Sequence, residues 1–379
     1  MKNILFIVPD LSKGGAQRVV ARLSKELANE NNIYIVIFEN NVSYEYKGEL
    51  ILLPRYNNRI VNNLSRYKKI RKIKKELSID VSISFLSTSN ILNILTSKRK
   101  DKTVISIRNY TEYEFKNYKY GSMIKYMEKM IYNKSWKVVA VSNQINEYLV
   151  REYQINQQKL VTIYNPYDVN EIIGLSKIEN NDAIVKWKQN SLLFINVGRL
   201  EYQKNHKLFI DIIKYGIEQG LDCKGLIIGQ GTLKQDLIDY VERLRLTDNI
   251  KIIDHQSNPF TFMNIADIYL LTSYYEGFPN ALVEGMICGC AAVSVNCKSG
   301  PSEILIVDND SIYNAKYGFL LNDVYKSTID LEILRKLFSL LSLKDNVEEL
   351  RRNSVKRSND FDISIIIEKW RKLIYEDYN

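Results

Sequence analysis

Short apolar runs, each followed by a turn and then by a helical pattern, recur along this 379-residue chain. Residues 4–8 and 192–197 are two such runs, typical of strands that a parallel sheet buries on both faces. Glycines follow at 14–15 and at 198, and apolar residues at helical spacing come next. Strand, turn and helix in that order form the repeating unit of doubly wound α/β domains. The length predicts two domains, since single cores stop growing at about 250–300 residues.

The most informative of these units surrounds Glu276. A short apolar strand at 267–272 precedes it, and Pro279 stands where a helical pattern begins. We expect Gly277 to give the turn its backbone freedom. The N–H groups at a helix start lack partners and attract phosphate, whereas Glu276 and Glu284 can accept hydrogen bonds from hydroxyl groups. This combination suits a nucleotide-sugar; alternatively, Glu284 caps or solvates its helix and Glu276 is an ordinary turn residue.

Residues 276–284, Glu-Gly-Phe-Pro-Asn-Ala-Leu-Val-Glu, resemble the Glu-x7-Glu signature of the retaining glycosyltransferases of family 4. Residues 299–304, Ser-Gly-Pro-Ser-Glu-Ile, are similar to a run in the family members that build capsules, O-antigens and related lipid-linked oligosaccharides. The resemblance covers nearly the whole chain. It implies the GT-B fold, in which two α/β, Rossmann-like, doubly wound domains face a central cleft.

The resemblance also implies the domain boundaries. Residues 1–168 would form an acceptor-facing and membrane-facing domain, and residues 190–361 would form the domain that binds the nucleotide-sugar. An amphipathic C-terminal helix within 362–379 would cross back to the first domain. The polar residues 170–190 suit a linker.

Three residues are the catalytic candidates: Arg199, Lys204 and Glu276. Both cations follow the strand at 192–197, where they can neutralise a diphosphate, and the resemblance assigns them this role. The alternative interpretation is that Arg199 and Lys204 are a pair of surface cations. Glu276 would orient the sugar. The resemblance implies retention of anomeric configuration; without a secure nucleophile, we prefer same-face attack, with the leaving phosphate accepting the proton, over double displacement.

The candidates for donor binding lie in turns or at the start of the helix near residue 280. Glu284 would grip the ribose. The resemblance places Gly15 near the donor phosphates, and the alternative is that residues 14–15 are a plain glycine start of a helix. Gly229 and Gly231 would let a base or ribose approach the backbone, and His255 lies in a base-reading loop whose contacts are alternatively made by backbone. The full set is Gly15, Gly198, Gly229, Gly231, His255, Gly277, Phe278, Asn280, Ala281, Leu282 and Glu284.

Positive charge is concentrated in the first half, where residues 1–175 hold 28 Lys and Arg against 16 Asp and Glu. Residues 55–75 contain nine cations and no acid. They form either a solvated helix or a basic amphipathic helix that meets an anionic membrane or a diphosphate. Residues 110–130, rich in Tyr, Lys and Met, favour either a membrane interface or a plain helix face. The candidates in the basic stretch are Lys68, Lys69, Arg71 and Lys72.

Arg108 and Asn109 end the strand at 104–107, where many family members carry a histidine. Arg108 would hold an acceptor phosphate or the donor sugar, or else it is a buried structural arginine. We expect no metal site, because the chain has only two histidines and the pair Asp308-x-Asp310 is typical of a turn.

No apolar run reaches the length of a membrane span, no export signal is evident, and the four cysteines form no Cys-x-x-Cys pair. We therefore predict a cytoplasmic protein, peripheral on the inner face of the plasma membrane. The predicted reaction moves a hexose or N-acetylhexosamine from a UDP-sugar to a polyprenyl-diphosphate-linked saccharide, without cofactor, metal or nucleic acid. The alternatives are a GT-B sugar-nucleotide epimerase and a non-enzymatic basic protein that binds membrane or RNA.

Overall fold

The computed structural model describes residues 1–12, 14–97, 101–110, 121–178, 181–306, 314–325 and 327–376. The chain divides into two compact units. The first unit consists of residues 1–166 together with 364–379, and the second consists of residues 167–363. Each unit is built around one seven-stranded sheet, as expected for two doubly wound domains.

The sheet of the first unit is entirely parallel. Its strands are β1 (Asn3–Ile7), β2 (Asn32–Ile37), β3 (Glu49–Leu52), β4 (Val81–Phe85), β5 (Lys102–Ile107), β6 (Lys137–Ala140) and β7 (Leu160–Thr162). Their order across the sheet is β3-β2-β1-β4-β5-β6-β7, so the order reverses between β1 and β4. The described helices are α1 (Gly15–Leu27), α2 (Arg59–Glu76), α3 (Ser87–Leu95), α4 (Gly121–Tyr132) and α5 (Asn143–Tyr153).

Both faces of this sheet are buried, which explains the continuous apolar runs. Ile4 and Phe6 belong to one core cluster, and Leu5 and Ile7, which alternate with them, belong to another. Trp370, in the last helix α15 (Ile363–Tyr375), packs in the same cluster as Phe6. The prediction that the C-terminal helix returns to the first domain is therefore confirmed.

The second unit repeats this plan. Its strands are β8 (Leu192–Val197), β9 (Cys223–Ile228), β10 (Ile250–Ile253), β11 (Ile268–Leu271), β12 (Ala291–Val295), β13 (Asn314–Ala315) and β14 (Gly318–Leu321). Their order is β10-β9-β8-β11-β12-β14-β13, and of these pairs only β13 and β14 are antiparallel. Its helices are α6 (Val169–Ser176), α7 (Asp182–Lys188), α8 (His206–Glu218), α9 (Lys234–Arg243), α10 (Phe260–Ile265), α11 (Asn280–Ile287), α12 (Pro301–Leu305), α13 (Leu331–Leu341) and α14 (Lys344–Ser358).

The expectation of a linker at 170–190 is wrong. This stretch forms α6 and α7, which both pack against α10. Ile172 and Ile184 are buried there, because each helix packs one apolar side against the rest of the second unit. The polar residues between these positions concealed that pattern.

Across the described ranges, no helix combines the length and the apolar character needed to cross a bilayer. In the same ranges, no group of three or more His, Cys, Asp or Glu side chains is placed to hold a metal ion. Asp308 and Asp310 lie outside the described residues.

Candidate active site

The candidate site of the second unit lies where the order of its sheet reverses. β8 and β11 pair in parallel at that point, and the strands that follow each of them in the chain lie on opposite sides. The loops after such strands border a crevice at the carboxyl edge of the sheet, where doubly wound domains bind their ligands. Arg199 and Lys204 follow β8, and Glu276 follows β11. The fold therefore brings both predicted cations and the first predicted carboxylate to the same edge.

Lys204 and Glu276 form a largely buried ion pair. The Lys204 Nζ donates to Glu276 Oε1 across 2.7 Å, and the side chains are 18% and 8% exposed. The Ser273 hydroxyl donates to the same oxygen at 2.6 Å. An ammonium group has three N–H donors, so this pair leaves Lys204 with capacity for an anionic ligand. Lys204 is therefore not a cation that simply faces water.

Gln203 ties the two loops together, a role that the sequence did not reveal. Its Oε1 accepts from Arg199 Nη2 at 3.3 Å, and its Nε2 donates to the Tyr275 carbonyl at 2.8 Å. Its own carbonyl accepts from the Tyr274 N–H at 2.9 Å. The exposed Arg199 guanidinium is thus oriented through Gln203. A glutamine between two predicted cations carries no signal of its own, which is why it was missed.

Helix α11 begins one residue after Pro279, as predicted. In the described part of the chain, no side chain caps its first turn, and that turn contains no acidic residue. The positive end of the helix dipole and its N–H groups thus remain suited to an anion. Leu282 and Glu284 are buried, whereas Ala281 is only partly covered.

The core beneath α11 fixes its position relative to β8. A Cβ on Gly285 would lie 2.6 Å from the Tyr269 ring, so the helix and β11 pack too closely for a larger residue. The Tyr269 hydroxyl donates to the Val197 carbonyl at 3.1 Å, at the end of β8. Burial raises the pKa of Tyr269 far above its ordinary value, and the nearby Glu284 and Glu276 raise it further. This phenol therefore stays neutral and serves as a structural link.

The turn at 276–279 is held from outside by the loop at 298–300. The Ser299 hydroxyl donates to the Gly277 carbonyl at 2.7 Å, and the Glu276 N–H donates to the Lys298 carbonyl at 3.2 Å. Ser299 and Gly300 have φ of 71° and 106°. The expectation that Gly277 supplies the freedom is wrong, because Gly277 is not among the residues with positive φ. The left-handed backbone lies in the neighbouring loop instead.

The glycines at 229 and 231 are needed for the approach of another loop. A Cβ on Gly229 would lie 1.8 Å from the Gly198 carbonyl oxygen, and one on Gly231 would lie 2.3 Å from that of Leu200. A Cβ on Gly198 would make only an ordinary contact, at 3.4 Å from the Lys204 Cε. These contacts account for the glycines by protein packing, and their contact with a nucleotide stays a prediction.

The other predicted donor residues of this unit lie around the same edge or turn. His255 is exposed in the loop after β10. Asn280 accepts through Oδ1 from the Tyr167 hydroxyl at 2.6 Å, and the Phe278 ring meets the Phe361 ring edge-on at 5.5 Å. Tyr167 is a second positioning residue that the sequence did not reveal.

His206 lies beside the Lys204–Glu276 ion pair but is shielded from solvent. It is 2% exposed, and neither ring nitrogen has a hydrogen-bond partner within the described structure. Burial lowers the pKa of His206 to about 3, and the charge of Lys204 contributes. His206 is therefore neutral at physiological pH and takes no part in proton transfer there.

In the first unit, Arg108 follows β5 and is 9% exposed. Its guanidinium lies 5.6 Å from the centre of the Phe85 ring, and Nη1 donates to the Ser106 hydroxyl at 3.3 Å. The adjacent Asn109 is exposed. Gly15 opens α1 and is also exposed. This geometry agrees with both interpretations of Arg108, a residue that contacts a ligand and a buried structural arginine.

A buried carboxylate at the same edge was not anticipated. Glu128, on α4, accepts from the Ser87 hydroxyl and from the Tyr153 hydroxyl. Burial raises the pKa of Glu128, and these hydrogen bonds oppose the shift. The basic candidates Lys68, Lys69, Arg71 and Lys72 lie elsewhere, on α2, and all four are exposed.

Comparison with known families identifies both halves of the chain. The family described as glycosyltransferase family 4 matches residues 13–171, and the family described as glycosyl transferases group 1 matches residues 177–319. The two matches together cover most of the chain.

Several curated proteins are similar over most of their length. An uncharacterized glycosyltransferase of Methanocaldococcus jannaschii is 29% identical, with 90% of this chain and 91% of that protein covered. The N-acetylgalactosamine-N,N'-diacetylbacillosaminyl-diphospho-undecaprenol 4-alpha-N-acetylgalactosaminyltransferase of Campylobacter jejuni is 27% identical, with 80% and 83% covered. The UDP-Gal:alpha-D-GlcNAc-diphosphoundecaprenol alpha-1,3-galactosyltransferase of Escherichia coli is 24% identical, with 84% and 83% covered.

Solved structures share the fold across the whole chain. A glycosyltransferase of Rickettsia africae superimposes with a TM-score of 0.77 at 18% identity and covers 100% of both chains. The Anabaena HepE structure in complex with UDP gives a TM-score of 0.77 at 17% identity and covers 99% of both. At these identities the likeness concerns the fold alone.

The two doubly wound units have the GT-B fold, and the family matches of both halves define a glycosyltransferase. The chain belongs to the family 4 glycosyltransferases. It is a hexosyltransferase, as predicted.

Proposed function

We propose that this enzyme moves a hexose or N-acetylhexosamine, with retention of configuration, from a UDP-sugar to a saccharide linked to a polyprenyl diphosphate. One observation supports the proposal most strongly. The Lys204–Glu276 ion pair, at 2.7 Å, lies in the two loops at the switch point of the second unit, and the helix α11 begins four residues after Glu276. A cation, a carboxylate and a helix start suit the diphosphate and hydroxyl groups of a nucleotide-sugar.

The relatives support the acceptor and the nucleotide. The names of the Campylobacter jejuni and Escherichia coli enzymes specify saccharides on diphospho-undecaprenol, and that of the Escherichia coli enzyme specifies UDP-galactose. Anabaena HepE was solved with UDP and with UDP-glucose. We extend these substrate classes to this chain.

Departure of the diphosphate is the step that this site would assist. As the bond between the anomeric carbon and the phosphate oxygen breaks, its electron pair passes to that oxygen. Lys204, Arg199 and the N–H groups at the start of α11 would stabilise the growing negative charge. Glu276 would orient the sugar, and Glu284 would hold the ribose hydroxyls.

The acceptor hydroxyl would attack the same face of the sugar that the diphosphate leaves. Its oxygen forms the new bond to the anomeric carbon, and its proton passes to the departing phosphate oxygen. This route needs no separate base, which agrees with a neutral, buried His206. A double displacement through a carboxylate is the less favoured route.

Membrane attraction would bring the enzyme to its acceptor. Lys68, Lys69, Arg71 and Lys72 are exposed along α2, and each cation near an anionic surface contributes on the order of 1 kcal/mol. The proposed location is the cytoplasmic face of the plasma membrane. Reversing the charge at these four positions should weaken attraction to anionic vesicles and leave hydrolysis of the donor unchanged.

The test supplies purified enzyme with a panel of UDP-sugars and an undecaprenyl-diphosphate-linked disaccharide, and follows the acceptor by mass spectrometry. The expected result is one added hexose or N-acetylhexosamine, whose α linkage in the product is read by NMR. No added sugar with any donor would refute the transfer, and a β linkage would refute retention. Conversion of a UDP-sugar to its epimer without acceptor would support the epimerase instead.

A further inference from the structure

Three tyrosine rings form a continuous stack at the carboxyl edge of the second sheet. The Tyr202 ring lies nearly parallel to the Tyr274 ring, with an interplanar angle of 29° and ring centres 4.8 Å apart. The Tyr325 ring meets the Tyr274 ring edge-on, with centres 6.1 Å apart. These residues follow β8, β11 and β14, which run in the same direction, so all three lie at the edge where doubly wound domains bind ligands. We refer to them as the tyrosine stack.

The tyrosine stack is adjacent to the Lys204–Glu276 ion pair. Tyr202 precedes Lys204 by two residues on the loop after β8, and Tyr274 precedes Glu276 by two residues on the loop after β11. The two loops therefore pair ring with ring and charge with charge, side by side. Between the two pairs, the Gln203 carbonyl accepts from the Tyr274 N–H at 2.9 Å. The hydrogen bond that joins the loops thus fixes the ion pair and the stack together.

Tyr202 exposes its ring although the rest of the stack is anchored. Tyr274 is partly buried against the main core of the second unit, and burial raises its pKa, so its phenol stays neutral. Tyr202 is 65% exposed, and because one face of its ring rests on Tyr274, the exposed area belongs to the opposite face and the edge. Single exposed apolar residues are ordinary. A ring that two further rings hold beside a candidate active site is instead a platform for a ligand.

The position of the stack favours a sugar ring of the acceptor over the base of the nucleotide. The loops proposed to contact the base follow β9 and β10, which lie on one side of β8 in the sheet. The stack extends to the other side, toward β14. The diphosphate, the ribose and the donor sugar already have candidate partners, which are Arg199, Lys204, Glu276 and Glu284. The component of the proposed reaction that remains is the acceptor saccharide.

We propose that the Tyr202 ring binds a sugar ring of the acceptor saccharide by stacking, and that Tyr274 and Tyr325 hold the Tyr202 ring in position. The face of an aromatic ring is electron-rich and the C–H groups on the face of a sugar are weakly positive, so the two faces attract each other and both leave water. The hydroxyl groups at the edge of the sugar keep their hydrogen bonds. The inference rests on the proposed function, because it specifies how that enzyme would bind its acceptor.

Kinetics with a water-soluble acceptor tests the stacking. The acceptor is a disaccharide linked to farnesyl diphosphate, and the donor is the UDP-sugar that the panel selects. Tyr202→Leu keeps an apolar side chain without an aromatic face and should raise the KM for the acceptor about tenfold. Tyr202→Phe keeps the face and should change this KM by less than about twofold. The KM for the donor should change by less than about twofold in both variants.

The control is Tyr375→Leu at the end of α15. Tyr375 is 41% exposed and contacts Lys2 and Asn31, which precede β1 and β2, so it lies at the amino edge of its sheet. Its replacement should leave the KM for the acceptor unchanged. The proposal is refuted if the acceptor KM of Tyr202→Leu equals that of Tyr375→Leu. A rise confined to the donor KM also refutes it, because the ring would then stack on the base.

A measurement without transfer separates this inference from the proposed function. Enzyme labelled with meta-fluorotyrosine gives a fluorine NMR resonance for Tyr202, which is identified because Tyr202→Phe lacks it. With UDP present, the farnesyl-linked disaccharide should shift this resonance, and farnesyl diphosphate alone should not. A resonance that responds equally to both compounds, or to neither, refutes stacking of the saccharide even where transfer is observed. A shift by the disaccharide in an enzyme that transfers no sugar would refute the proposed transfer alone.

Discussion

At the scale of single residues, the site depends on side chains that hold other side chains. The Gln203 side chain forms hydrogen bonds with Arg199 and with the Tyr275 carbonyl. The Gln203 carbonyl accepts a hydrogen bond from the Tyr274 N–H. Ser273 shares an oxygen of Glu276 with Lys204. The contacts with Arg199 and Glu276 fix charged groups before a ligand arrives, so less ordering remains to be done on binding.

Gln203→Ala should raise the KM for the donor about tenfold, because two hydrogen bonds that orient Arg199 and the Tyr275 carbonyl are lost. The matched control is Gln235→Ala, since Gln235 is exposed and its side chain donates to Asp239 on the same helix at 2.7 Å. Steady-state kinetics of UDP release measures both variants. Equal KM values for the two would show that Gln203 does not position the site.

His206 should make stability fall in acid. The unfolded chain protonates this imidazole below about pH 6.5, whereas the folded protein resists protonation down to a pKa of about 3. The contribution of His206 to the free energy of unfolding is thus fully present above pH 6.5. It decreases as the pH falls toward 3, and about 2 kcal/mol is lost at about pH 5.

The variant His206→Leu tests this effect by removing the titrating group from a buried position. Thermal unfolding at about pH 8 and about pH 5 should show a smaller loss of Tm for the variant than for the unmodified enzyme. An equal loss for both proteins would mean that His206 is protonated in the fold or is reached by water.

At the scale of elements, the turn at 276–279 takes its shape from a loop that follows a different strand. The loop after β12 places Ser299 and Gly300 in the left-handed region and presents them to Gly277 and Pro279. The sequence predicted the strand, the turn and the helix correctly. It could not show which glycine has positive φ, because that depends on contact between two loops distant in the chain.

Gly300→Ala should damage the turn more than its backbone strain alone explains. A Cβ there would lie 2.5 Å from Pro279 Cδ and would push the start of α11. The control is Gly220→Ala, at which φ is also positive, 82°, and no atom lies within 4 Å of the added Cβ. Both should lose about 1–2 kcal/mol of stability from strain.

Only Gly300→Ala should also lower kcat/KM for the donor, by about tenfold or more. Thermal unfolding and UDP release measure the two effects separately. Matching activity losses in both variants would indicate that the turn does not depend on the 298–300 loop.

At the scale of the whole molecule, the sequence predicted the two doubly wound units because buried parallel strands leave continuous apolar runs. The same regularity placed Arg199, Lys204 and Glu276 at strand ends. The helices α6 and α7 were missed because the polar residues that lie between Ile172 and Ile184 conceal the apolar sides of both helices. Gln203 and Tyr167 were missed because their roles arise from hydrogen bonds between loops, which no local pattern encodes.

The most direct test of the account compares two lysines on the same segment. The mass-detected transfer of sugar to an undecaprenyl-diphosphate-linked disaccharide is measured for Lys204→Ala and for Lys207→Ala, whose native side chain is exposed and lies over the Tyr240 ring. Lys204→Ala should lower kcat about hundredfold or more, because the departing diphosphate loses the more buried of its two cations, and Lys207→Ala should have little effect. Transfer by Lys204→Ala at the rate of Lys207→Ala would contradict this role of Lys204.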